Sequence, residues 1–152
     1  MKRHFTALLL VVVAFLAAGG LTSCDDYDDW GWYDGPTGDY FYDSDLDGAW
    51  ELVQADGIPV GSGSTNYLDF YGDGHGMYYY YDNGTPVSER MGYFCQYSNN
   101  GASRYQVNVR YEYGQPTTMN YWFAGGSLWM QWRTGGGRVV TYVYRPVSYV
   151  PW

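Results

Sequence analysis

Few residues of this 152-residue chain have the type and spacing that catalysis requires. The one histidine beyond the first few residues is His75, which lies in a glycine turn without the ligand spacing of a metal site. Glu51, Glu89 and Glu112 are the only glutamates, and we expect each to face solvent because each alternates with apolar residues. The serines within 61–64 lack a nucleophile elbow and a second catalytic group. The sequence therefore predicts no catalytic residue, no cofactor and no enzyme activity.

A partial calcium motif precedes the first predicted strand. The run 43–48 reads Asp-Ser-Asp-Leu-Asp-Gly, which matches the first half of an EF-hand loop. The twelfth position of that loop needs a bidentate glutamate, and Gln54 stands there. The residues after Gly48 also begin a strand rather than a helix. We therefore predict no metal site.

Aromatic side chains are the strongest chemical signal in the chain. Thirty of the 129 residues after residue 23 are Phe, Trp or Tyr, and residues 78–81 are four consecutive tyrosines. A strand with that run places two rings on each face, so both faces cannot be ordinary water-facing surface. Two interpretations stay open: the rings fill a core, or they bind an amphipathic ligand or sugar rings. The candidate ligand-binding residues are Tyr79, Tyr81, Trp122 and Trp132.

The chain begins with a targeting segment. Lys2 and Arg3 are followed by residues 5–18, which are apolar except for one threonine, and then by two glycines. Fourteen residues are too few for a transmembrane helix, which needs about 20. A charged start, an apolar stretch and small residues are typical of a cleaved secretory signal peptide, which we place at residues 1–23.

Leu21-Thr22-Ser23-Cys24 resembles the signal of bacterial lipoproteins, in which a leucine and two small residues precede an obligatory cysteine. The resemblance implies that Cys24 carries a thioether-linked diacylglycerol, that cleavage occurs before it, and that its amino group is acylated, for example with palmitate. Two or more acyl chains hold a protein stably on a membrane. We expect a lipid-anchored protein of the cell envelope, at the outer membrane. The alternative is an ordinary secreted protein with an incidental cysteine.

Residues 24–47 form an acidic tether with nine aspartates and no basic residue. Beyond residue 47 the chain has seven acidic and six basic residues, so the acidity belongs to the tether. Nothing here neutralises phosphates, and we expect no nucleic-acid partner. The aspartates after Cys24 also resemble the export signal of surface lipoproteins in some Gram-negative bacteria, and the alternative is a solvating spacer. Seven aromatic residues leave open whether part of the tether docks on the folded domain.

Residues 48–152 have the size of one domain and contain short β-rich runs separated by Gly, Asn, Asp and Pro. We predict eight strands: Ala49–Ala55, Thr65–Tyr71, Gly76–Asp82, Val87–Ser98, Ala102–Tyr113, Thr117–Ala124, Ser127–Thr134 and Arg138–Arg145. Tight turns favour sequential antiparallel pairing, and a meander of eight strands can close into a barrel. Cys95 shares an apolar face with Met91 and Tyr93, and we expect it to be a buried thiol without a disulfide partner.

Three segments resemble the small bacterial lipocalin-like lipoproteins: Gly48-Ala49-Trp50-Glu51-Leu52-Val53, Leu68-Asp69-Phe70-Tyr71-Gly72-Asp73-Gly74 and Thr141-Tyr142-Val143-Tyr144-Arg145. The resemblance covers about 100 residues and implies an eight-stranded barrel that holds a ligand. The loop 57–64 is shorter than the usual lid loop, and no C-terminal helix follows. These departures predict a filled or narrowly open barrel.

Together these patterns predict a membrane-anchored binding module that is not an enzyme. Its ligand is expected to be a small apolar or amphipathic molecule or a protein partner. The alternative is a surface glycan-binding or adhesive module with exposed aromatic residues on a β-sandwich.

Overall fold

The computed structural model describes residues 38–61, 63–98 and 105–151. The predicted signal peptide, Cys24 and the tether up to residue 37 lie outside this part of the chain. The elements are a 3₁₀ helix Ser44–Leu46 and the strands β1 Gly48–Ala55, β2 Ile58–Pro59, β3 Tyr67–Phe70, β4 His75–Asp82, β5 Thr85–Tyr97, β6 Tyr105–Tyr111, β7 Thr117–Ala124, β8 Ser127–Arg133 and β9 Val139–Val147. No helix in the described ranges is long and apolar enough to cross a membrane.

Eight of the strands close into an antiparallel barrel. From β3 to β9 each strand pairs with the next, β1 pairs with β3, and β9 returns to pair with β1. Strand β2 lies outside this ring and pairs only with the end of β1, at Gln54 and Ala55. The prediction of an all-β, eight-stranded meander barrel is confirmed. The β-sandwich of the alternative is wrong, because one sheet closes on itself.

The alternation of side chains defines the interior. Cys95 pairs with Val107, and Tyr93 pairs with Val109; all four side chains are buried against the core. The predicted strand faces are therefore correct here, and Cys95 is a buried free thiol as expected.

Two hairpin turns use left-handed backbone conformations. Asn83 and Gly84 join β4 to β5 with φ angles of 51° and 83°. Asp56 and Gly57 join β1 to β2 with φ angles of 51° and 81°. Positive φ at both central residues is the geometry of a type I′ turn, which matches the twist of paired strands.

Residues 40–47, here called the N-terminal plug, fill one end of the barrel. Phe41 pairs with Cys95 through two backbone hydrogen bonds of 3.0 and 2.9 Å. The side chain of Leu46 is fully buried, and its carbonyl accepts the indole N–H of Trp50 at 2.7 Å. Part of the acidic tether therefore docks on the barrel.

Candidate functional site at the mouth of the barrel

The barrel has space for a ligand at the end opposite the N-terminal plug. An inner cavity of about 220 Å³ is lined by Asn66, Tyr78, Tyr111, Thr117, Met119, Trp132, Tyr142 and Tyr144. A second space of about 370 Å³, the vestibule, is lined by Gly63, Ser64, Thr65, Asn66, Tyr78, Tyr80, Tyr81 and Gly84. Asn66 and Tyr78 line both spaces, which therefore adjoin. We call them together the mouth site.

The strand period places the aromatic walls of the mouth site. Within the run 78–81, Tyr78 and Tyr80 share the inward face of β4, and their rings stack at 4.9 Å. The ring of Tyr111 on β6 lies 5.0 Å from that of Tyr78. On the other side, Trp132 of β8 meets Tyr142 of β9 edge to face at 4.7 Å. Four strands thus surround the cavity with ring surfaces.

Two observations describe the polarity of this site. Burial raises the pKa of Tyr78 to about 12 and also raises the pKa of Tyr111 and Tyr144, so these side chains are neutral phenols near pH 7. The side-chain oxygen Oδ1 of Asn66 is buried and has no hydrogen-bond partner among the described residues. A buried acceptor of this kind costs stability unless a donor reaches it.

Glu89 contradicts the expectation that every glutamate faces solvent. It is 6% exposed, lies opposite Tyr78 on β5, and accepts one backbone hydrogen bond, from Tyr113 at 3.3 Å. Burial raises the pKa of this carboxyl group; the hydrogen bond from Tyr113 lowers it by less, and nearby Glu112 adds to the rise. Glu89 is two residues before the buried Met91, so its spacing along β5 was the signal for an inward position.

The other two glutamates lie on the outside of the barrel and have arginine partners. Glu112 pairs with Arg90 at 2.9 Å, and Glu51 pairs with Arg145 at 2.6 Å. Both are partly exposed, which agrees with the solvent-facing orientation expected for them.

The four candidate ligand-binding residues do not form one site. Trp132 lines the inner cavity and Tyr81 lines the vestibule. Tyr79 lies on the outer face opposite Tyr67, and Trp122 lies on the outer face of β7. The remaining wall residues were missed because they come from distant strands whose inward positions meet only when the barrel closes; they are Asn66, Tyr78, Tyr111, Thr117, Met119, Tyr142 and Tyr144.

The outer face of β7 and β8 carries a second notable group. Trp122 and Trp129 pair across the strands with their rings stacked at 5.9 Å and 18°. The neighbouring pair on the same face is Asn120 and Gln131. Asn120 accepts a hydrogen bond from Gln106, and Gln131 donates one to Thr141, both at 3.1 Å. We call this surface the outer tryptophan face.

The partial calcium motif has another structural use. Asp43 caps the 3₁₀ helix by accepting the backbone N–H of Asp45 at 3.0 Å, and its second carboxylate oxygen accepts the hydroxyl of Tyr121. His75 begins β4, and its Nδ1 lies 3.3 Å from a carboxylate oxygen of Asp73. Within the described ranges, no group of three or more possible metal ligands occurs.

The folded chain was compared with models of protein families, with curated proteins and with solved structures. None of the three comparisons found a significant match.

Proposed function

We propose that this chain is a bacterial envelope lipoprotein whose lipocalin-like barrel binds a small amphipathic ligand at the mouth site. The observation that carries the proposal is an inner cavity with aromatic walls that adjoins a more polar vestibule. The N-terminal plug fills the other end of the barrel, so a ligand enters from the mouth.

The size and chemistry of the mouth site support a small ligand. The inner cavity alone is smaller than the usual ligand pocket of about 300–1,000 Å³, but the inner cavity and vestibule together fall within that range. Aromatic rings suit an apolar segment, while Ser64 and Asn66 offer polar groups at the entrance. A ligand donor that reaches Oδ1 of Asn66 would satisfy an acceptor that is otherwise unpaired.

The anchor and the location follow from the sequence motifs. The lipoprotein-like signal ending at Cys24 supports a diacylglycerol anchor and acylation, and thus the membrane as a partner. We propose that the protein resides in the cell envelope at the outer membrane and binds its ligand without transforming it.

Tryptophan fluorescence tests ligand binding at the mouth site. Titration of the protein with 1-octanol, a neutral amphipath, should change the emission saturably with one-to-one stoichiometry, because Trp132 lines the cavity. Trp132→Phe should remove most of the change. Trp122→Phe, which alters a tryptophan on the outer face, should retain it. A non-saturable response, or a response that depends on Trp122 instead, would exclude the mouth site.

A second candidate function is glycan binding, and the outer tryptophan face favours it. Stacked indole rings beside a row of side-chain amides offer an apolar surface and hydrogen-bond groups, which suit sugar rings. Saturable oligosaccharide binding that is lost in Trp129→Ala and retained in Trp132→Phe would support this candidate. Retention in Trp129→Ala would exclude it.

A further inference from the structure

We infer that the ligand of the mouth site is a cationic amphipath, such as an amine with a short apolar chain. This inference rests on the proposed function and specifies the charge of the ligand. It depends on the ring faces, on Glu89 and on Asn66.

The aromatic walls provide surfaces that attract cations. A cation near the face of a Tyr or Trp ring is stabilised by the ring quadrupole, and the interaction strengthens when the site excludes water. Tyr78, Tyr111, Trp132 and Tyr142 surround the inner cavity from four strands, and Tyr80 extends the stack into the vestibule. Such an arrangement resembles the aromatic cages that hold ammonium groups.

Glu89 places a negative charge close to these rings. Glu89 pairs with Tyr78 across β4 and β5, and the rings of Tyr80 and Tyr111 lie 4.9 and 5.0 Å from the ring of Tyr78. The carboxylate therefore stands beside this cluster of rings, and its charge contributes to the raised pKa of all three tyrosines. Glu89 does not itself line the cavity, so its charge acts through the wall formed by Tyr78 and Tyr111.

Among the described residues, Glu89 has no arginine partner, whereas each of the other two glutamates has one. Its side chain is 6% exposed and accepts a single hydrogen bond from the described residues, the one from Tyr113. A buried carboxylate without a cation is costly, and a bound cation would offset that cost. An anionic head group at the same place would be repelled.

The rest of the lining agrees with a positive ligand. Asn66 lines both spaces, and its buried Oδ1 is an acceptor without a partner among the described residues. The described residues that line the two spaces include no Lys, Arg or His. The mouth site thus offers an acceptor and ring faces, with a negative charge behind them.

Isothermal titration calorimetry with three eight-carbon probes at about pH 8 tests the inference. Octylammonium, 1-octanol and octanoate share a chain length and differ in charge. Octylammonium should bind about tenfold or more tighter than 1-octanol, and octanoate should bind weakest. Glu89→Gln should bring octylammonium to within about threefold of 1-octanol. Glu112→Gln changes a nearby outward carboxylate that already pairs with Arg90, and it should preserve the preference.

The outcomes separate the inference from the function on which it rests. Failure of all three probes to bind would overturn the proposed function itself. Equal binding of the three probes, or tightest binding of octanoate, would overturn the cationic ligand and leave the amphipath site in place. A preference for octylammonium that survives Glu89→Gln would overturn the role assigned to Glu89.

Discussion

The hydroxyl of Tyr121 donates a 2.8 Å hydrogen bond to the carboxylate of Asp43, a residue 78 positions earlier in the chain. Tyr121 lies fully buried on the inward face of β7, and Asp43 belongs to the N-terminal plug. Burial raises the pKa of Tyr121, and its contacts with Cys95 and Asp43 raise it further. This hydrogen bond therefore joins the plug to the barrel wall beside the only described cysteine.

Removal of this hydroxyl should loosen the plug. Tyr121→Phe removes the donor to Oδ2 of Asp43, while the hydrogen bond from the backbone of Asp45 to Oδ1 remains. Hydrogen bonds to charged groups contribute about 1.5–3 kcal/mol. Urea unfolding should show a loss of stability of that size. Because the thiol of Cys95 is fully buried, native alkylation should be slow in the wild type and should become faster in Tyr121→Phe.

Tyr149→Phe is the matched control, since Tyr149 is 71% exposed. It should change neither the unfolding midpoint nor the alkylation rate. Rapid alkylation of Cys95 in the native wild-type protein would contradict the packing of the plug.

Gly76 of β4 lies opposite Phe70 of β3, with no room for a side chain. A Cβ atom at this position would lie 2.3 Å from the backbone oxygen of Asp69 and 2.6 Å from the terminal carbon of Met91. Because a backbone atom cannot move aside easily, Gly76→Ala should destabilise the barrel by about 3 kcal/mol or more, as measured by thermal unfolding. Gly135→Ala meets no atom within 4 Å and should be nearly neutral. Equal effects of the two substitutions would argue against this register of β3 and β4.

Replacement of Glu89 should stabilise the protein at neutral pH. A carboxyl group whose pKa is raised in the folded state binds its proton more tightly there than in the unfolded chain, so its ionised form destabilises the fold. This penalty is present above the raised pKa and disappears as the pH falls below the ordinary value near 4.5. Glu89→Gln should therefore gain about 1 kcal/mol at pH 7, and the gain should vanish at about pH 4.

Glu112→Gln should show the opposite sign. The hydrogen bonds from Arg90 lower the pKa of Glu112, so its charge stabilises the fold at neutral pH and this contribution is lost on acidification.

For Glu89→Gln, a loss of stability at pH 7 would contradict the prediction. It would mean that other groups already stabilise the charge of the Glu89 carboxylate in the unliganded protein.

Lipidation of Cys24 is a separate prediction from the sequence motif. Mass spectrometry of the mature protein should find an N-terminus at residue 24 with the mass of a diacylglycerol and an acyl chain. Cys24→Ala should leave the precursor uncleaved. An unmodified N-terminus at another residue would contradict the anchor.

The barrel was predictable because its signals are local. The strand period in residues 105–111 and the glycine turns identify strands and their faces, and β7 matches its predicted bounds, Thr117–Ala124. The plug was not predictable in this way, because the pairing of Phe41 with Cys95 depends on the closed barrel. The spacing of Glu89 to the buried Met91 indicates its inward position, whereas the solvent-facing orientation was predicted from alternation with apolar residues alone.

The mouth site was predictable only in part, because it too depends on contacts that form when the barrel closes. Trp132 and Tyr81 could be proposed because aromatic residues are unusually abundant in this chain. Asn66 and Thr117 belong to residue types that give no such signal, and they matter because the fold places them at the cavity. Contacts between strands far apart in sequence decide which rings surround the cavity.

Ligand binding at the mouth site is tested most directly by calorimetric titration of 1-octanol into a variant whose inner cavity is filled by a larger side chain. Thr117 lines the inner cavity, while its neighbour Thr118 is exposed on the outer face of β7. We expect one-to-one binding to the wild type, at least about tenfold weaker binding to Thr117→Phe, and wild-type binding to Thr118→Phe. Equal binding to the wild type and to Thr117→Phe would contradict the claim that the mouth of the barrel is the ligand site.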